Sequence, residues 1–202
     1  MPDPRAMWNA RYGEAGFAYG TEPNAFLSQH ADVIHGSDVL CLASGEGRNA
    51  VHLAQRGLSV TGVDISEVGV EKTKALASER GVSVQAQVAS LAEYDLGSGR
   101  WDAIVSIFAH LPPPVRRRVH QAIPAALRPG GVLLLEAYTP AQLEHGTGGP
   151  PSLPMLMTLA ELKEDLVGLS FELGQEIERD VVEGKYHDGK AAVVQVIARR
   201  PA

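Results

Sequence analysis

The chain predicts a doubly wound α/β fold: a mostly parallel seven-stranded sheet with helices on both faces and a C-terminal antiparallel hairpin. Three observations predict it. Strand-like and helix-like segments alternate from Asp38 to Ala137, the helical segments stop at glycine, and two long strand-like runs close the sequence around a polar turn. Alternation at this rhythm calls for a parallel sheet, because right-handed crossovers leave few other arrangements. The first strand is Asp38 to Leu42 (DVLCL), an apolar run ended by the turn Ala43-Ser44-Gly45-Glu46-Gly47. Asn49 to Arg56 carries Val51, Leu53 and Ala54 at helical spacing and stops at Gly57. Leu58 to Asp64 is the second strand, and Ser66 is the N-cap of a helix that reaches about Arg80 and closes on Gly81. Val82 to Gln87 alternates as a third strand, Trp101 to Ile107 is a fourth, and Pro112 to Pro114 open the next helix. Val132 to Ala137 is a fifth. Residues 139–154 hold four prolines and read as a loop, followed by a helix at Thr158 to Leu166. Phe171 to Val182 and Lys190 to Arg200 then flank His187-Asp188-Gly189 as a hairpin.

At 202 residues the length suits one domain, divided as an N-terminal cap (1–30), a core (37–138), a candidate substrate loop (139–157) and a final helix with hairpin (158–202). A net charge of −6 argues against a nucleic-acid partner, whose binding surface would be basic. Cys41 is the single cysteine, so a disulfide framework and a thiolate metal site are excluded, and the seven histidines show no metal-ligand spacing. No apolar run approaches the ~18–20 residues of a membrane span, and the start MPDPRAMWNARYGE lacks a signal-peptide core. A soluble, cytoplasmic protein is expected, with no membrane partner; monomer and homodimer both stay open.

The turn reads Gly45-x-Gly47-x-x-Ala50, with Asp64 ending the second strand 17 residues after Gly47. Glycines let the backbone approach a ligand, and a carboxylate at a second-strand tip is placed to accept bonds from a ribose diol. Any adenosine cofactor is served by that pair, and a tight turn with Asp64 capping the next helix would use the same residues. VLCLASGEGRN at Val39 to Asn49, VTGVDIS at Val60 to Ser66, WDAIVSIFAHLP at Trp101 to Pro112 and LRPGGVLLLEAY at Leu127 to Tyr138 together resemble the class I S-adenosylmethionine-dependent methyltransferases. WNARY, GTEPNAF and GEGRNA look like the tellurite-resistance and thiopurine methyltransferase group within it.

The resemblance implies a Rossmann-like methyltransferase fold with the hairpin beside the fifth strand, and S-adenosylmethionine as cofactor. It implies that Ala43, Ser44, Gly45, Glu46 and Gly47 lie against the methionine part and that Asp64, beside Ser66, binds the ribose. Ile65 would pack on adenine, Ala89, Ser90 and Leu91 would flank its edge, and Ile107 and Phe108 would close the sulfonium side. Two positions depart from the pattern: Cys41 stands where an acid is usual, and Ala43 where the first glycine is usual. Glu46 replaces the acid only if its side chain turns inward, and Arg48 either meets the methionine carboxylate or lies in solvent. Trp8, Tyr12 and Tyr19 are either core aromatics of the cap or faces closing on the sulfonium, where aromatic rings favour a cation.

Methyl transfer from a sulfonium is an in-line displacement in which the protein aligns the nucleophile and excludes water. A hard nucleophile also needs a base. Candidates are His110, which alternatively caps the loop before Pro112, and Tyr138, His145 and His187, of which the last two are alternatively exposed loop histidines. Glu136 shares a strand face with Tyr138, and Arg116-Arg117-Arg118 reads as a solvated helix face. The expected function is methyl transfer to a small molecule, with a soft sulfur, selenium or tellurium nucleophile favoured. A nicotinamide-dependent oxidoreductase and a non-catalytic adenosine-ligand binder are the alternatives.

Overall fold

A computed structural model describes residues 3–202; the first two residues of the expected 1–30 cap lie outside the described residues. The described residues form seven strands, β1 (Asp38–Leu42), β2 (Ser59–Asp64), β3 (Gln85–Val88), β4 (Trp101–Ile107), β5 (Leu127–Tyr138), β6 (Ser170–Val182) and β7 (Asp188–Arg199). They form one sheet in the order β3-β2-β1-β4-β5-β7-β6. β1 to β5 run parallel, and β7 lies antiparallel between β5 and β6. The order reverses between β1 and β4, and the C-terminal ends of strands flanking such a reversal form the binding crevice of an open α/β sheet.

Among the described residues, six α-helices flank the sheet: α1 (Pro4–Tyr12), α2 (Ala25–His30), α3 (Arg48–Gln55), α4 (Glu67–Glu79), α5 (Pro113–Ala126) and α6 (Leu159–Asp165). Their starts follow local chemistry. Asn24, Ser66 and Thr158 accept backbone N–H groups as N-caps, Thr158 in a reciprocal box with Glu161. Strands buried on both faces make near-continuous apolar runs, because alternate residues feed opposite layers. Leu40, Ile104, Leu133 and Leu135 pack with Val119 and Ile123 of α5 and Leu162 of α6. Val39, Cys41, Val105 and Leu134 pack with Phe26 and Leu27 of α2 and Leu53 of α3.

Several boundaries differ from the sequence reading. β3 begins at Gln85 rather than Val82: Val82 N–H closes the end of α4 on Ala77, and Val82 and Val84 pack against Val51 and Leu76 instead of entering the ladder. β5 begins at Leu127, because the Arg128-Pro129-Gly130-Gly131 segment bonds to Arg200 and rejoins β4 through a register shift. Residues 139–157 contain two 3-10 turns, Pro140–Glu144 and Leu153–Met155. Buried Gln142 anchors the segment, accepting from Ala192 N–H at 2.8 Å and donating to Thr147 and Gly148. Arg116 corrects the solvated-face reading of the arginine run: it is buried between α5 and α6, donates to the Leu156 carbonyl at 3.1 Å and faces Asp165 at 3.4 Å. Among the described residues, no helix is long and apolar enough to cross a membrane.

Candidate active site

The turn after β1 is shaped by backbone sign. Ala43, Gly45 and Gly47 all have positive φ, at 46°, 58° and 91°. A Cβ on Gly47 would stand 2.6 Å from Thr73, and one on Gly45 would stand 3.0 Å from the Tyr12 hydroxyl, so both glycines are fixed by conformation and by space. Ala43 holds the same conformation without being glycine, at a cost of about 1–2 kcal/mol. Ala43→Gly is therefore expected to raise stability by roughly 0.5–1 kcal/mol once the extra unfolded-state freedom of glycine is deducted. Urea unfolding measures this, and a destabilised variant would show the strain to be absent.

Asp64 sits at the tip of β2 and is 5% exposed. Its Oδ2 accepts Gly45 N–H at 2.8 Å and its Oδ1 accepts Ser66 N–H at 2.9 Å. Burial raises its pKa, and the N–H groups of Ser66, Gly45 and Ile65 oppose that rise. Ala89 N–H bonds to the Asp64 carbonyl at 2.8 Å, which places the Ala89-Ser90 turn next to the carboxylate. Ile65 and Ser90 are half-buried, whereas Leu91 turns its side chain into the core beside Leu42 and Val63. Ile107 likewise packs into the opposite layer. Cys41 is inert core: burial pushes its thiol up to about 12.

The cap covers this turn from above. Asn9 of α1, which sequence reasoning missed because nothing in its spacing marks it, accepts from the Ser66 hydroxyl at 2.6 Å and donates to Glu67 at 2.8 Å. Glu46 is buried and turns toward the cap, accepting Ala18 N–H at 2.7 Å and Lys72 Nζ at 2.9 Å. Arg48 fulfils neither expectation. It is buried against Glu183 of the β6–β7 turn and donates to the Glu22 carbonyl.

A row of aromatic rings follows the C-terminal edge of the sheet. Trp8 stacks on Tyr12 at 5.3 Å between centroids, Tyr12 meets Tyr19 edge-on at 6.4 Å, and Tyr19 lies 4.5 Å from His187. His187 meets Phe108 edge-on at 4.6 Å, and Phe108 stacks on Tyr138 at 4.6 Å. Phe108 has φ +52°, a strained backbone for a bulky residue that directs its ring off the end of β4. The hydroxyl of Ser44, the hydroxyl of Tyr138 and Nδ1 of His187 are buried with no hydrogen-bond partner among the described residues.

The four candidate bases therefore separate. His145 faces Glu178 at 3.4 Å on the β6 edge, apart from the ring row. His110 is spoken for at both nitrogens: Nδ1 donates to the Met155 carbonyl at 3.0 Å, and Nε2 accepts Tyr138 N–H at 3.3 Å. Burial lowers its pKa to about 4 and lowers that of His187 to about 3. A histidine held neutral by folding contributes stability that is present above its unfolded pKa near 6.5 and is lost as pH falls toward the folded value. Stability is expected to decline between about pH 6.5 and pH 4, and His110→Gln to flatten part of that slope in denaturation curves collected across this range. An unchanged slope would contradict a neutral buried His110.

Beneath the row lies a charge network joining segments remote in sequence. Glu136 is 0% exposed and accepts from Arg179 Nε at 2.8 Å, Arg179 Nη2 at 2.6 Å, Asn24 Nδ2 at 2.6 Å and Gln195 Nε2 at 2.7 Å. Glu183 accepts from Arg48, Arg179 and Asn24. The two carboxylates are balanced by two guanidinium groups, so Glu136 is not a free base.

The left-handed glycine turn, the buried carboxylate of Asp64 and the unpartnered Ser44 hydroxyl fit an adenosine cofactor with a polar tail, and the adjoining rings fit a sulfonium. Residues 39–131 match a family described as a methyltransferase domain. The chain is 30% identical over 120 residues to the 2-heptyl-1-hydroxyquinolin-4(1H)-one methyltransferase of Mycobacteroides abscessus, covering 58% of this chain and 52% of that protein. It is 34% identical over 105 residues to the tRNA 5-carboxymethoxyuridine methyltransferase of Escherichia coli K12, covering 50% and 40%. The chain thus spans about half the length of the curated relatives it matches. Among solved structures, TehB from Haemophilus influenzae superposes with a TM-score of 0.71 at 19% identity, over 97% of this chain and 66% of that one, a likeness of fold. The match to a methyltransferase domain covers 93 of the 202 residues, a little under half of the chain.

Proposed function

We propose that this chain transfers the methyl group of S-adenosylmethionine to a small molecule whose nucleophilic atom needs little proton removal, a soft sulfur, selenium or tellurium centre first among them. One observation carries the preference. Two candidate bases are left unpartnered beside the ring row, among the described residues, and neither is suited to removing a proton: the conjugate acid of His187, at a pKa of about 3, makes its Nδ1 a weak base, and burial keeps the Tyr138 hydroxyl protonated. The cofactor supplies an activated methyl on a positively charged sulfur, so alignment and exclusion of water remain for the protein. Asp64 accepts the ribose hydroxyls, the Ala43–Gly47 turn bears on the amino-acid tail, and Trp8, Tyr12, Tyr19 and Phe108 offer ring faces to the cation. With Cys41 buried in the core and Glu46 engaged by Ala18 and Lys72, the cofactor's ammonium is left to backbone carbonyls of the turn. A net charge of −6 favours a small acceptor over a nucleic acid, although one relative bears a tRNA methyltransferase name.

A planar hydroxylated aromatic is the second reading, favoured by the ring walls of the site and by the name of the hydroxyquinolinone methyltransferase relative. Calorimetry with S-adenosylhomocysteine, NADH and NADPH tests the cofactor, and tight binding is expected only for the first. Transfer of labelled methyl to thiols, selenite, tellurite and a hydroxyquinoline then ranks acceptors. Binding of a nicotinamide cofactor instead would sink the proposal, and inactivity toward every acceptor despite S-adenosylhomocysteine binding would favour a non-catalytic binder.

A further inference from the structure

The helix that covers the glycine turn is held mainly by polar contacts. Among the described residues, Tyr12 is the only buried residue of α1. Its ring rests on two glycines: a Cβ on Gly45 would stand 3.0 Å from the Tyr12 hydroxyl, and one on Gly69 would stand 3.0 Å from Tyr12 Cδ2. Beneath this contact Gly45, Glu46, Gly47 and Asp64 are all buried. Further along the helix, Asn9 pins α1 to the corner between β2 and α4. Its Oδ1 accepts the Ser66 hydroxyl at 2.6 Å and Val68 N–H at 3.4 Å, and its Nδ2 donates to Glu67 at 2.8 Å. At the free end Arg5 meets Glu67 at 3.0 Å, with both side chains about half exposed.

The segment after α1 is anchored separately. Lys72 donates to the carbonyls of Glu14 and Gly16, and Ala18 N–H reaches the buried Glu46 carboxylate. Ala18 also accepts Lys185 N–H at 3.0 Å, and Glu14 is clasped to the β6–β7 turn by the Tyr186 hydroxyl at 2.7 Å and by a surface pair with Lys185. Gly13, which ends α1, lies between the two sets of contacts. A segment with so little buried surface opens at a far lower cost than the whole fold.

We infer that α1 is a flap over the cofactor cleft, hinged at Gly13 and latched by Asn9 on the Ser66–Glu67 corner, and that the cofactor enters and leaves when it opens. The inference rests on the S-adenosylmethionine reading and adds the route by which that ligand is exchanged. Lifting α1 takes the Tyr12 ring off Gly45, whose N–H is bonded to Asp64, so turn and carboxylate are uncovered together. The acceptor side stays shut. Tyr19, His187 and the Glu14 clasp lie beyond the hinge, and Arg11, which donates to the Tyr19 hydroxyl at 3.1 Å, sits close to the pivot. Asn9 acts through the helix it holds and is a positioning residue.

Stopped-flow mixing with S-adenosylhomocysteine, followed by the fluorescence of Trp8 on the same helix, gives the rate constants for binding and release. Asn9→Ala is expected to raise both by roughly tenfold, the scale for losing part-buried hydrogen bonds, and to leave Kd within about twofold. A residue that merely touched the ligand would change release alone. The converse variant holds the flap shut. Arg5→Cys/Glu67→Cys places thiols at the free end of α1 and opposite it, and a short bis-methanethiosulfonate bridges them while Cys41 stays buried in the core. The bridged protein should exchange S-adenosylhomocysteine at least about tenfold more slowly than the same protein after reduction. Equal exchange rates with and without the bridge, or a change in folded Asn9→Ala confined to release, would overturn the inference. Should Asn9→Ala fold poorly, the bridged protein decides alone. Failure of the unmodified protein to bind S-adenosylhomocysteine would instead overturn the S-adenosylmethionine reading, and the flap's role with it.

Discussion

Glu136→Ala is expected to destabilise the fold by about 3–5 kcal/mol, the scale for removing one partner of a buried ion pair. Four donors converge on this carboxylate, and its removal strands the Arg179 guanidinium along with the amides of Asn24 and Gln195. The loss exceeds that of a surface pair such as Lys74–Glu71, where solvent takes over the charges. Urea unfolding of the single variant and of the Glu136→Leu/Arg179→Met double variant distinguishes the contributions. The double variant should recover much of the loss, because the isolated charge is gone and apolar volume fills the site. A loss below ~1 kcal/mol in the single variant would mean that water already reaches the network.

Asp64→Ala is expected to weaken S-adenosylhomocysteine binding by about 1–3 kcal/mol, the scale for losing charge-assisted hydrogen bonds. The carboxylate holds the turn through Gly45 and the start of α4 through Ser66, so the variant also loosens the backbone that would meet the cofactor's tail. Asp64→Asn separates the two effects. It keeps an oxygen for one N–H group while removing the charge, and an intermediate affinity is expected. Unchanged affinity in Asp64→Ala would remove this residue from the ribose role.

The strands nearest the crevice were legible because local chemistry defines them. DVLCL, LSVTGVD and WDAIVSI are short apolar runs bounded by turn residues, and Ser66 and Thr158 announce helices through their own side chains. The start of β5 is hidden in the sequence because Pro129, Gly130 and Gly131 carry loop composition yet are held by Arg200 from the far end of the hairpin. The network around Glu136 was invisible for a related reason. Asn24, Arg48, Arg179 and Glu183 belong to four segments with no common period, and only the folded sheet brings them together. The histidines divide along the same line: identity and position nominate three, but only hydrogen-bond geometry shows that His110 is occupied while His187 retains a vacant nitrogen.

The clasp between Glu14 and residues 185–186 joins positions 171 and 172 residues apart. Contacts of such separation incur their loop-closure entropy before they return any stabilisation, so they form late. During synthesis the Rossmann-like core at Asp38 to Tyr138 emerges well before the strand that carries the clasp. A nascent chain would therefore hold the glycine turn under its N-terminal cap while Tyr19 and Phe108 still lack the His187 ring, until β6 and β7 pair.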